Sequence, residues 1–278
     1  MSVLTRSPRV IAEGLWDTPN RLGSCKTAAR SKLYKLSLTV GWLIDASVSQ
    51  GSILPAEKRC VEARLAETWN TVPDRFEFET LNNCLSKSPD GVGQRIGLTS
   101  LYNKIYIRLH TSHLLKSPSS ADDGDPPAEE DAEHELHSRR KCIQAALQNI
   151  ELLITTETKS RPGGALTVLK NKMSILVVHK ALVATAVLST FLYHIGTGPA
   201  TTGETDGIDM PHIEDTLRNF KDTWVRWSEW SPDATRAVDL LDLVFPKLDG
   251  NMETVPMSKF SLALYCMGLN LGGDTVYS

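Results

Sequence analysis

Apolar residues recur at intervals of three and four along most of this chain, the period of a buried helix face. Leu33, Leu36, Val40, Leu43 and Ile44 mark such a face over residues 26–49, and Gly51 stops it. Pro55 opens the next helix at a position where its missing N–H costs nothing. That helix carries Cys60, Val61, Leu65 and Trp69 and ends before Pro73. After a loop around residues 88–91, a helix over 95–116 uses Leu98, Leu101, Tyr102, Ile105, Tyr106, Leu109 and His113. A further helix over 134–157 uses Leu136, Ile143, Ala146, Leu147, Ile150, Leu153 and Ile154, and Arg161-Pro-Gly-Gly164 ends it. A long apolar helix is predicted over 165–195. Shorter ones follow over 211–230 and 232–245, each with a proline at its start, and a last apolar piece covers 256–269.

No segment alternates with period two for long, so the predicted fold class is all-α, a single helical domain of about eight helices over residues 1–278. Two stretches do not fit a helix. Pro8, Gly14, Pro19 and Gly23 punctuate residues 1–25 into an extended arm. Residues 117–133 hold Asp122, Asp123, Asp125, Glu129, Glu130, Asp131 and Glu133 beside Pro118, Pro126 and Pro127. Self-repelling charge and proline leave that stretch nothing to bury, so it is predicted to be a disordered acidic linker.

Composition adds mainly exclusions. The chain is 41% hydrophobic and 23% charged, ordinary for a soluble globular protein. A net charge of −3, with Arg139-Arg-Lys141 as the longest basic run, argues against direct nucleic-acid binding. The five cysteines form no CxxC pair, so they read as reduced, mostly buried thiols of an intracellular protein. The first residues lack the apolar region of a secretory signal. Residues 173–195 are apolar for long enough to span a bilayer, but His179 and Lys180 sit near their middle. A lysine at mid-bilayer costs roughly 2.5 kcal/mol or more. A buried central helix is the expectation, with no membrane span.

Candidate chemistry is sparse. His134 and His137 are spaced i, i+3, not the i, i+4 of a HExxH zinc site, and read as a solvated helix start. His110 and His113 repeat that spacing on an apolar face. His179 and His194, on the long apolar helix, are the titratable groups most exposed to desolvation. His110, His179 and His194 are therefore the candidate acid–base residues, against a structural reading as satisfied core or rim histidines. Trp224, Trp227 and Trp230 lie on one helix, where large aromatics either fill a core or wall an apolar cavity. Trp42, Tyr102, Tyr106, Trp224 and Trp227 make up the candidate ligand pocket. No GxSxG, P-loop or dinucleotide fingerprint occurs, and neither a metal nor a cofactor is predicted.

Several stretches resemble the middle homology domain of fungal binuclear-zinc-cluster transcription factors. Trp69-Asn-Thr-Val-Pro73 is similar to the tryptophan and proline that close a helix there. Leu101-Tyr-Asn-Lys-Ile-Tyr-Ile-Arg-Leu-His110 resembles the helix that ends in a His-Arg-Pro type turn, although here the turn reads His110-Thr-Ser. Lys141-Cys-Ile-Gln-Ala-Ala146 and the arm from Ser7 to Pro19 are similar as well. The resemblance implies an α-helical regulatory domain that holds ligands or partners. The six-cysteine DNA-binding cluster of that family is missing from this sequence, and Met1 close to the match suggests a standalone protein. Two functions are expected from this combination. In one, the chain binds an apolar fungal metabolite and assists its cyclisation or isomerisation, as a pericyclase does, by positioning and desolvation alone. In the other, it is a non-enzymatic transcription regulator or ligand- and partner-binding module. Its partners would be an apolar small molecule, a second copy in a homodimer, or a regulatory protein. Its location would be cytoplasmic, or nuclear for a regulator.

Overall fold

A computed structural model describes residues 55–70, 89–111, 114, 129–164, 166–167, 175–195 and 207–249. The arm at 1–25, the helix at 26–49 with Trp42, residues 117–128 and the piece at 256–269 lie outside the described residues. The chain divides into two compact units, residues 1–77 and 78–278. Among the described residues there are six helices and no strand, so the class is all-α.

Helix α1, Pro55–Asn70, belongs to the first unit. It buries Val61 and Leu65, one turn apart, as the periodicity required. Cys60, expected among buried thiols, is exposed, whereas Cys142 is buried. Neighbouring helix positions point about 100° apart, so Cys60 falls off the stripe that Val61 occupies.

The second unit holds α2 (Pro89–His110), α3 (Glu129–Lys159), α4 (Ile175–Ile195), α5 (Met210–Ser228) and α6 (Pro232–Leu248). Four boundaries differ from the sequence expectation, and one is the end of α2, which stops at His110 where 116 was expected. α2 begins at Pro89, inside the predicted loop, because proline is tolerated in a first helical turn. α3 begins at Glu129, so the last residues of the predicted linker are helical. Carboxylates at a helix start are favoured by the partial positive charge of the free N–H groups. α4 is described from Ile175, and at the predicted start residues 161–164, 166 and 167 form a turn after α3 in place of helix. Gly163 adopts φ 82°, and Leu166 N–H returns to the Lys159 carbonyl at 3.0 Å. A Cβ at Gly164 would lie 2.1 Å from the Lys159 carbonyl oxygen, so only glycine fits that turn.

α4 is the centre of this unit. It packs against α2, α3, α5 and α6, and residues 181–193 are all buried. A helix apolar all round belongs in a core or a membrane. α4 is the one described helix long and apolar enough to cross a bilayer, and most of it is buried inside the protein. α5 presents Ile213, Leu217, Phe220, Trp224 and Trp227 to the core, and α6 presents Ala234, Ala237, Leu240, Leu241, Val244 and Phe245. Asp209 caps α5 by accepting the His212 N–H at 3.1 Å. A smaller cluster of Val92, Ile96, Leu152 and Leu166 joins α2 to α3 and the turn after it.

Candidate functional site

The α5 aromatics pack on one another. Phe220, Trp224 and Trp227 meet edge-on in all three pairings, at centroid distances of 5.3, 5.7 and 5.4 Å. Trp224 is fully buried, and its indole N–H donates to Thr185 Oγ1 of α4 at 3.1 Å. Trp230, one turn beyond Trp227, is 53% exposed. Trp224 and Trp227 thus belong to the largest core cluster.

Tyr102, Tyr106 and His110 form a ladder along α2. The two tyrosine rings lie 4.9 Å apart, and the Tyr106 ring stacks on the His110 ring at 5.8 Å and 13°. The Tyr102 hydroxyl donates to the Tyr106 hydroxyl at 3.3 Å. Burial, then the Tyr106 contact, raises the Tyr102 phenol above its ordinary value, so it stays protonated at neutral pH. His110 is fully buried at the end of the helix.

His179 and His194 sit at opposite ends of α4, about 22 Å apart at 1.5 Å per residue. They cannot serve one reacting centre. His194 packs edge-on to Tyr193, and burial followed by Lys247 lowers its basicity. His179 Nδ1 lies 3.6 Å from Asp233 Oδ2 of α6. Burial, then the charge of Lys104, lowers its pKa, and Asp233 opposes them. His134 and His137 lie on α3, and among the described residues no three His, Cys, Asp or Glu side chains group to hold a metal.

His179 belongs to a cationic cluster. A relay of hydrogen bonds ties three helices beside it. Ser100 Oγ on α2 donates to Asn149 Oδ1 on α3 at 2.9 Å. Asn149 Nδ2 donates to the Lys180 carbonyl on α4 at 3.2 Å, and Lys180 Nζ donates back to the Gly97 carbonyl on α2 at 3.4 Å. The Lys180 ammonium is therefore held against α2 by a neutral acceptor. Burial first, and Lys104 second, lower its pKa to about 8. Burial and Arg108 lower that of Lys104 as well. On the far side, Arg236 NH1 holds Asp233 Oδ1 at 2.9 Å.

Comparison with known proteins bears on what such a bundle does. Over 233 residues, 83% of its length, the chain is 23% identical to the fusarisetin A cluster transcription factor of a Fusarium species. Over the same length it is 22% identical to the equisetin cluster transcription factor of Fusarium heterosporum. Over 210 residues, 74% of its length, it is 23% identical to a Zn(2)-C6 fungal-type transcription factor of Monascus ruber. The chain is a relative of fungal cluster transcription factors. It spans less than a third of the length of these relatives, the matches covering 29%, 31% and 24% of them. No protein-family model matches the chain, and no solved structure matches it.

In this transcription-factor-like chain, sequence reasoning reached His179 but missed Lys104, Arg108 and Asp233 as its neighbours. One signal was present. Lys104 and Arg108 are like charges at i, i+4, a spacing that destabilises an isolated helix. Lys180 was noticed, but only as a charge that argued against a membrane span.

Proposed function

We propose that this chain is the ligand- or partner-binding regulatory module of a nuclear regulator of fungal secondary-metabolite genes. The observation that carries this reading is the similarity to cluster transcription factors along 83% of the chain. The fold supports it. A helical bundle with a buried aromatic core and a half-buried cationic face suits binding and signalling, in which occupancy shifts a population of states. The six-cysteine cluster that reads DNA in such regulators does not occur in these 278 residues. DNA contact in this proposal comes from outside this sequence stretch. Assistance of a cyclisation finds no comparable support. Its expected pocket wall includes Trp224 and Trp227, which are packed against Phe220.

The test is a fusion of the chain to a heterologous DNA-binding domain, with a reporter assayed in fungal cells. Reporter output that changes with the fused chain, together with nuclear accumulation of the chain in its producer, is the expected result. A silent fusion, or turnover of a metabolite by the purified chain, would overturn the proposal.

A further inference from the structure

The turn that ends α3 and the last turns of α5 frame a cleft of about 220 Å³, lined by Glu157, Ser160, Arg161, Pro162 and Arg226. Hydrogen bonds within the turn hold its shape. Ser160 N–H donates to the Thr156 carbonyl at 2.9 Å, and the Arg161 carbonyl accepts from Gly164 N–H at 2.8 Å and from Thr167 Oγ1 at 3.0 Å. Leu166, clustered with Val92, Ile96 and Leu152, anchors the far side of the turn in the core. Arg161 and Pro162 are thus presented on a fixed support.

Arg226 reaches the cleft from α5. Its Nη2 donates to Glu157 Oε1 at 3.3 Å and to Thr223 Oγ1 at 2.9 Å. Its Nε and Nη1 donors have no protein partner among the described residues, and neither have the side-chain donors of Arg161, which is exposed. Two guanidinium groups therefore share one cleft with a single carboxylate, Glu157. Ser160 adds a second unmet group. It is 2% exposed, and its hydroxyl has no hydrogen-bond partner. Buried hydroxyls are nearly always hydrogen-bonded.

We infer that this cleft binds a small carboxylic acid as its monoanion, with the carboxylate on Arg161 and Arg226 and the apolar portion against Pro162. A guanidinium fork matches a carboxylate through two parallel, charge-assisted hydrogen bonds. Glu157 offsets one of the two arginines, so the cleft carries one surplus positive charge. A monoanion balances it, and a phosphate dianion overshoots it. Pro162 and the arginine stems supply an apolar wall. The volume lies below the roughly 300–1,000 Å³ of drug-sized pockets, which restricts the ligand to a small acid. A turn already ordered loses little freedom when the acid arrives. The bound carboxylate also offers the Ser160 hydroxyl an acceptor. The inference names a ligand class for the regulatory module and rests on that reading for its biological meaning; the binding itself is measured without it.

The experiment uses the purified chain at pH 7. Thermal melts and titration calorimetry compare sodium benzoate, its uncharged analogue benzamide, sodium phosphate and sodium chloride at matched ionic strength. Benzoate raises Tm above the chloride control, and benzamide and phosphate bind at least tenfold more weakly. R161Q weakens benzoate at least fivefold with its own unliganded Tm unchanged, since Arg161 makes no ion pair to lose. S160A weakens benzoate several-fold while its unliganded Tm stays level or rises, because it removes a hydroxyl that has no partner. K221Q, at a lysine paired with Asp242 between α5 and α6, leaves affinity unchanged. The inference is overturned if benzoate acts no more than chloride or benzamide, or if phosphate binds as tightly as benzoate. It is equally overturned if R161Q and S160A bind as the parent does, or if K221Q weakens binding as much as R161Q. A chain that binds no benzoate yet drives the reporter removes this site and leaves the regulatory reading standing. A chain that binds benzoate with a silent fusion does the reverse.

Discussion

Replacing Thr185 by valine tests whether Trp224 is core or pocket wall. The two side chains are fully buried, on α4 and α5, and share one hydrogen bond of 3.1 Å. Valine keeps the shape of threonine and removes the acceptor. The indole N–H is then stranded where the structure gives it no access to water. A buried donor left without a partner costs about 1–3 kcal/mol. For a protein of this size each kcal/mol lowers Tm by about 2–4 °C, so T185V should melt roughly 2–12 °C lower. The second half of the cycle is W224F, which removes the donor. In that background the threonine hydroxyl has no indole to serve and can turn to its own helix, as Thr190 does toward the Ala186 carbonyl at 2.7 Å. T185V should then cost at least about 1 kcal/mol less than in the parent, and the difference is the coupling between the pair. Urea denaturation followed by far-UV circular dichroism measures all four corners, provided the m values agree. If T185V lies within about 0.3 kcal/mol of the parent, or costs the same in both backgrounds, the reasoning fails. Water would then be reaching the indole, and Trp224 would line a wet or open cavity.

Three further outcomes follow from other parts of the structure. N149A removes a buried link between Ser100 and the Lys180 carbonyl, and should lower urea stability by about 2–4 kcal/mol; a loss below about 1 kcal/mol would mean that water replaces the amide. Lys180 has a folded pKa near 8 against an ordinary 10.5. Between those values the unfolded chain binds more protons, so stability should rise with pH from about 8 to 10.5. A K180M variant should lose that rise relative to the parent, and parallel pH profiles would refute the assignment. Trp230 is half-exposed and Trp224 fully buried. W230F should therefore remove an iodide-quenchable part of the fluorescence with little change in Tm, and unchanged quenching would place the accessible indole elsewhere.

Helix existence was readable from the sequence where an apolar stripe had a polar back. α5 and α6 came out within a few residues of expectation, since proline marks their starts and successive turns of α5 bury Ile213, Leu217, Phe220 and Trp224. The ends of α2, α3 and α4 were less legible. Each depends on a local device, such as Pro89 inside a first turn, carboxylates at Glu129 and Glu130, or the left-handed Gly163, whose effect competes with neighbouring signals. The face of α2 was only partly right. Leu101, Tyr102 and Tyr106, placed on the core stripe, are half-buried, whereas Ser100, Asn103 and Ile107 are buried. A helix wedged between two others buries more than one stripe, which a single-face pattern does not anticipate.

The same contrast governs the candidate site. By itself the sequence determined the all-α class, the central place of the apolar α4 and the family resemblance. Each of these is encoded in residues close together along the chain. It also marked His179, Lys180 and the tryptophans as unusual, because charge in an apolar run and repeated aromatics are visible in one dimension. Only the tertiary structure decided what those residues meet. It turned Trp224 onto Thr185 and into the core. It also set Lys180 of α4 against the Gly97 carbonyl of α2, and His179 against Asp233 of α6, partners more than fifty residues away along the chain. Electrostatic and packing energies depend on distance in space, and helix packing sets that distance.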